Sequence, residues 1–162
     1  MLQVGQKAPT FSLPDSNMEM MDLASFRGKK NVVLFFYPKD GTPACTMQAI
    51  GFSDREEEFD RLDTVVFGIS RDDVLSHEAF RDEHGLSVQL LADTESDVCR
   101  LYHVLEENRL RRSTFLIDKQ GVLRSILHDV SPREHVDEVL EACRELLQPA
   151  SARPARAARH AN

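Results

Sequence analysis

Cysteine is scarce in this sequence, and its copies stand far apart. Cys45, Cys99 and Cys143 show no paired spacing of the kind that holds zinc, and nothing like the dense pattern of a secreted disulfide scaffold. Reduced thiols in a reducing compartment fit them better. Long apolar runs are also missing: the longest, Val32 to Tyr37, is far too short to span a bilayer. The N-terminal "MLQVGQKAPTFSLPD" has neither the basic start nor the apolar stretch of a signal peptide, so a cytoplasmic protein is expected. Basic charge is in deficit. The 20 Lys and Arg stand against 27 Asp and Glu, a net charge of -7 that weighs against nucleic acid or an anionic membrane as partner. Six scattered histidines complete the picture: even Cys99 and His103, four apart on one predicted helix, have no third or fourth ligand nearby, and no metal site is expected.

What is present suits one soluble domain of 162 residues, 41% of them hydrophobic. Residues 1 to 27 read as turns and short strands, with prolines flanking Thr10 to Leu13 as at a sheet edge. "NVVLFFY" and "TVVFGIS" are β-branched and aromatic without alternation, the mark of strands buried on both faces. Ala49, Phe52, Phe59 and Leu62 amid charges predict one amphipathic helix of about 15 residues between them. "VLSHEAFRDEHG" reads as a helix closed by Gly85, "VQLLA" as a short strand, and Val98, Leu101, Tyr102 and Leu105 as the stripe of another helix. "STFLID", "KQG" and "VLRSIL" predict a β-hairpin. Ser131, Pro132 and Glu134 read as a capping box opening the last helix. Strands alternating with helices, then a hairpin and a closing helix, describe an α/β three-layer sandwich with a central mixed sheet, over residues 1–147. Residues 148–162, rich in Ala, Arg and Pro, have almost nothing to bury and are expected to form a disordered tail.

Cys45 lies in the polar, glycine- and proline-containing stretch "PKDGTPAC", between an apolar strand and a helix, where α/β folds place ligand sites. A cytosolic cysteine is more often a small buried hydrophobe, and for Cys45 alone that reading stands. In the first turn of a helix beginning near Pro43, however, unpaired N–H groups and the positive dipole end favour an anion, and a thiolate is one. Thr42 can offer its hydroxyl across the same turn.

Pro38, Thr42 and Cys45 form the pattern Pro-x-x-x-Thr-x-x-Cys, which resembles the peroxidatic motif of the peroxiredoxins. The fuller "FYPKDGTPACTMQAIGFSD" is similar to the peroxiredoxin Q, or bacterioferritin comigratory protein, branch. "GQKAPTFSLPD", "VVFGISRDDVLSHEAFRDEHGLSVQLLAD" and "RSTFLIDKQGVL" extend the likeness over most of the chain. The resemblance implies a thioredoxin fold with peroxiredoxin insertions and a peroxidase that reduces hydrogen peroxide and organic hydroperoxides through a Cys45 sulfenic acid, with no cofactor. It also implies a thiol reductant, either thioredoxin or a glutaredoxin with a low-molecular-weight thiol, and a monomer or weak homodimer. By the same likeness Arg112 sits beside Cys45. Arg111, its strand neighbour, points to the opposite face, so only one of the two can reach the thiol by this route. Thr42, Arg112 and backbone N–H groups would bind the peroxide oxygens, with Pro38 and Pro43 shaping the pocket.

The chain departs from that branch in its second cysteine. The position five residues after Cys45 is Ile50, and the alternative position, on the helix around "SHEAFRDEHG", is Arg81. Cys143 falls on the apolar stripe of the last helix, and Cys99 beside that of its own, with its exposure open. A one-cysteine mechanism is therefore expected, with resolution by Cys99 as the alternative. Two further classes compete with it. A thioredoxin-like reductase is disfavoured because Thr42 occupies the place of the first cysteine of C-x-x-C. A redox-relay or holdase protein that binds clients is the other.

Overall fold

The computed structural model describes residues 1–129, 131–132 and 134–147, and the backbone of 158–160. In chain order the elements are β1 (Ser12–Pro14), β2 (Met20–Asp22), a 3₁₀ turn (Leu23–Phe26), β3 (Asn31–Phe36), α1 (Pro43–Asp54), α2 (Glu56–Arg61), β4 (Thr64–Ser70) and α3 (Val74–His84). There follow β5 (Gln89–Ala92), α4 (Asp97–Leu101), β6 (Leu105–Glu106), β7 (Arg109–Leu110), β8 (Ser113–Ile117), β9 (Leu123–His128), α5 (His135–Glu145) and β10 (Ala158–His160).

The central sheet has the order β10-β9-β8-β3-β4-β5 and is mixed. β3, β4 and β5 run parallel, while β8 is antiparallel to both β3 and β9. β3 is buried at every position, as its unbroken apolar run requires. Alternation then sorts its side chains. Val33, Phe35 and Tyr37 join a core layer with Ala49 and Phe52 of α1, Phe59 of α2, Phe80 of α3, and Val139 and Leu140 of α5. Val32, Leu34 and Phe36 face the other layer, built from the N-terminal segment and from Val98, Cys99 and Tyr102 around α4. On β8, Leu116 belongs to the first layer and Phe115 and Ile117 to the second, so residues of even number along this strand face α1.

Several local expectations change. The single helix expected after Cys45 is two, because the chain leaves helical geometry at Arg55 (φ -107°, ψ 10°). The Arg55 guanidinium is engaged there by Glu58 and, at 2.5 Å, by Asp137 of α5. α4 stops short of Leu105, since His103 takes a positive φ of 55°, and Leu101 of the expected stripe is exposed. The last helix is assigned from a later residue than the expected capping box, whose residue 133 lies outside the described residues. α5 begins at His135, behind Glu134 in the N-cap place without a side-chain cap bond, while His135 N donates to the Ser131 carbonyl at 3.1 Å, the bond a capping residue's carbonyl accepts. α3 follows expectation, with Asp73 accepting from Ser76 N at its start and Gly85 in the left-handed region (φ 61°) at its end. Of the expected tail, residues 148–157 and 161–162 lie outside the described residues. Ala158–His160 form a strand parallel to β9, which composition alone did not suggest.

Candidate active site

The backbone delivers Cys45 to a helix start. Tyr37 N still bonds the Ile69 carbonyl at 3.0 Å, after which the chain turns through Gly41 (φ 81°) to Thr42, extended at φ -72° and ψ 150°. Pro43 occupies the first helical position, where its fixed φ fits and its missing N–H costs nothing. Cys45 is thus the third residue of α1, within the turn whose amides lack intrahelical partners. It is only 1% exposed.

Arg112 reaches this thiol from the neighbouring strand. Its Nη2 donates to Cys45 Sγ at 3.3 Å, and its Nη1 to Gln48 Oε1 at 2.6 Å. The strand alternation explains the choice between the two arginines: Arg112 has the parity of Leu116, facing α1, and Arg111 does not. Arg111 turns away to Asp129 (2.7 Å) and Glu106 (3.1 Å), contacts that hold its guanidinium firmly protonated, Asp129 foremost.

Gln48 is a participant that motif reading passed over. It is fully buried one helical turn beyond Cys45, and its Nε2 finds no partner among the described residues. The available signal was a lone amide on the buried face of α1, at a spacing that puts it beside the thiol. His135 is a second. Its Nε2 lies 2.6 Å from Thr114 Oγ1, its ring stands edge-on to Phe52, and burial, with help from the Arg112 charge, pushes its pKa down to about 3.

The other expected residues separate. Thr42 sits at the N-cap place, but its hydroxyl donates to the Lys39 carbonyl at 3.1 Å and closes the loop rather than bonding Cys45. Pro38 lines a cleft of about 800 Å³ together with Arg112, Arg111, Leu110 and Asp129. Pro43 is exposed and is not among the residues lining that cleft. Cys99 is fully buried in the layer on the opposite face of the sheet from Cys45, and burial together with Asp93 pushes its thiol pKa far up. Cys143, on α5, is fully buried in the same core layer as Cys45. Among the described residues no three His, Cys, Asp or Glu side chains gather as a metal site, and no helix is long and apolar enough to cross a membrane.

A cysteine at a helix start, met by an arginine from an adjacent strand on a thioredoxin-type sheet, defines a thiol-redox protein of the peroxiredoxin class. The chain belongs to the AhpC/TSA family, whose profile matches residues 4–126. It is 38% identical to peroxiredoxin Bcp of Bacillus subtilis over 153 residues, covering 90% of this chain and 97% of that one. It is likewise 38% identical to the chloroplastic peroxiredoxin Q of Populus jackii over 146 residues, covering 88% of this chain and 68% of the relative. Among solved structures it superposes on the bacterioferritin comigratory protein of Xanthomonas campestris with a TM-score of 0.81, at 29% identity over 85% of this chain and 92% of that one. BcpB of Mycobacterium tuberculosis gives a TM-score of 0.84, at 28% identity over 92% of this chain and all of the other. The chain is accordingly a thiol-dependent peroxidase with a thioredoxin fold.

Proposed function

We propose that Cys45 is the peroxidatic thiol and that the enzyme works by a one-cysteine mechanism with an external thiol reductant. The observation that carries this is the 3.3 Å contact from Arg112 Nη2 to a buried Cys45 Sγ at the start of α1. The cation and the helix dipole both favour the thiolate. The thiolate attacks the terminal oxygen of a hydroperoxide; the S–O bond forms, the O–O bond breaks, and the departing oxygen leaves as hydroxide or alkoxide and takes up a proton. Arg112 and the amides of the first turn stabilise the charge that builds on the oxygens. Thr42, whose hydroxyl proton is committed to Lys39, accepts the peroxide's own O–H and so orients it. Pro38 forms a wall of the approach.

The resulting sulfenic acid is then reduced by a thiol from outside the chain. Cys99 is buried on the opposite face of the sheet with its thiol pKa pushed far up, which supports reduction by an external thiol over resolution by Cys99. The reductant we propose is a thioredoxin-class protein or a low-molecular-weight thiol of the cytoplasm. Purified protein with dithiothreitol should consume hydrogen peroxide, and Cys45→Ser should abolish turnover because an alcohol is a poor nucleophile toward peroxide. Turnover persisting in that variant ends the assignment, and peroxide left untouched by the parent would return the relay or holdase reading.

A further inference from the structure

The β6–β7 hairpin is too short to stand by itself. It pairs Leu105 with Leu110 and Glu106 with Arg109, and turns through Glu107 and Asn108 at positive φ of 48° and 66°. Its base is fixed: Leu110 is buried, Arg111 N donates to the Val104 carbonyl at 2.7 Å, and the Arg111 guanidinium meets Glu106 at 3.1 Å. The exposed tip is held from another part of the fold. Arg71, the residue after β4, donates from Nη1 to Asn108 Oδ1 and from Nη2 to the Asn108 carbonyl, each at 3.0 Å. β4 and β8 lie on opposite sides of β3, so this fork ties the hairpin, which leads into β8, across the end of β3 from which Pro38 departs.

The hairpin is also one side of the cleft of about 800 Å³, which Glu106, Glu107, Arg109 and Leu110 line together with Pro38 and Arg112. Sites for small organic molecules occupy roughly 300 to 1,000 Å³, and hydrogen peroxide fills a small part of such a space. Glu106, Glu107 and Asp129 offset Arg109, Arg111 and Arg112 around the cleft, so it favours an uncharged occupant over an ion. Arg71 and Asn108 are not among the lining residues. Their fork acts on the wall and not on what lies against it.

We propose that Arg71 is a positioning residue that sets substrate specificity: by clasping Asn108 it fixes the hairpin as the wall against which the uncharged organic group of a large hydroperoxide lies. The selectivity rests on Cys45 being the peroxidatic thiol. The organic group packs on Leu110 and on the stems of Arg109 and Arg111, and a wall already in place spares the complex the cost of ordering it. Hydrogen peroxide reaches the thiol without touching that wall. With the tip released, the hairpin must be ordered at each binding event, so the loss falls on KM and on large hydroperoxides.

The test uses the full chain and the variants Arg71→Ala, Asn108→Gly and Asn108→Asp, with hydrogen peroxide or cumene hydroperoxide as substrate and dithiothreitol as reductant. Arg71→Ala should lower kcat/KM for cumene hydroperoxide about 5- to 20-fold, chiefly by raising KM, and leave that for hydrogen peroxide within about twofold. Asn108→Gly keeps the positive φ and the carbonyl acceptor but loses Oδ1, and should cost about threefold on the large substrate only. Asn108→Asp offers Arg71 the same two acceptors and should behave as the parent. Binding of 2-phenyl-2-propanol, the alcohol product of cumene hydroperoxide, to reduced protein is followed by ligand-observed NMR and should weaken in step. An equal loss on both peroxides overturns the wall, as does an unchanged KM for cumene hydroperoxide in Arg71→Ala, or an Asn108→Asp no better than Asn108→Gly. The alcohol binds without thiol chemistry. Turnover that survives Cys45→Ser therefore defeats the Cys45 assignment alone, and the alcohol's affinity in Arg71→Ala still decides the wall.

Discussion

Arg112→Ala removes a cation that touches both Cys45 and Gln48, and its cost can be worked from the 3.3 Å separation. At that distance a full charge pair is worth about 1 kcal/mol in water and about 5 kcal/mol at the effective dielectric of a protein surface. The guanidinium is half-buried, and during attack the negative charge moves from sulfur onto the departing oxygen, so only part of the larger figure reaches the barrier. About 1.4 to 4 kcal/mol is left, a slowing of about 10- to 1000-fold, which brackets the loss on removing one preorganised donor elsewhere. Arg112→Lys keeps the charge but not the fork that bonds two acceptors at once, and should fall between. The assay is the second-order rate constant for one turnover of reduced protein with hydrogen peroxide under stopped flow. Arg111→Ala is the control: its guanidinium is occupied by Asp129 and Glu106, and the rate should change by less than about threefold. A parent-like rate in Arg112→Ala, or a larger loss in Arg111→Ala, would refute the reasoning.

Two further outcomes follow from residues around the guanidinium. Gln48→Met, close in volume, leaves Arg112 Nη1 without its acceptor and should slow the same single turnover about three- to tenfold, with little change in melting temperature. His135 titrates at about 3 in the folded protein against an ordinary 6.5, so below pH 6.5 the unfolded chain takes up a proton that the folded one refuses, and stability is lost as pH falls through that window. His135→Gln should therefore flatten the acid limb by up to about 1.4 kcal/mol per pH unit, measured by urea unfolding at successive pH values. An equally steep limb in the variant would assign the acid sensitivity to other groups.

Much of this was legible in the sequence because it is local. The unbroken apolar runs at Val32 to Tyr37 and Thr64 to Ser70 announce doubly covered strands, and Pro43 with Cys45 two residues on announces a thiol in a first helical turn. Strand alternation predicted that one of Arg111 and Arg112 would face the thiol, and the family likeness said which. What stayed hidden depends on contacts between distant segments. Gln48 becomes significant only when the entry to β8 brings Arg112 over it. The break at Arg55 places its guanidinium against Asp137, a partner far along the chain that no local pattern names.

The central claim is that Cys45 is oxidised to a sulfenic acid that no cysteine of the chain resolves. Intact mass after one equivalent of hydrogen peroxide tests it most directly, with a sulfenate-trapping probe added and the labelled peptide mapped. The expected result is gain of a single oxygen, trapped on Cys45, unchanged in Cys99→Ser and Cys143→Ser, and progressing to two oxygens when peroxide is in excess and thiol is absent. A loss of two hydrogens that either serine variant abolishes would mark an internal disulfide and contradict the one-cysteine account.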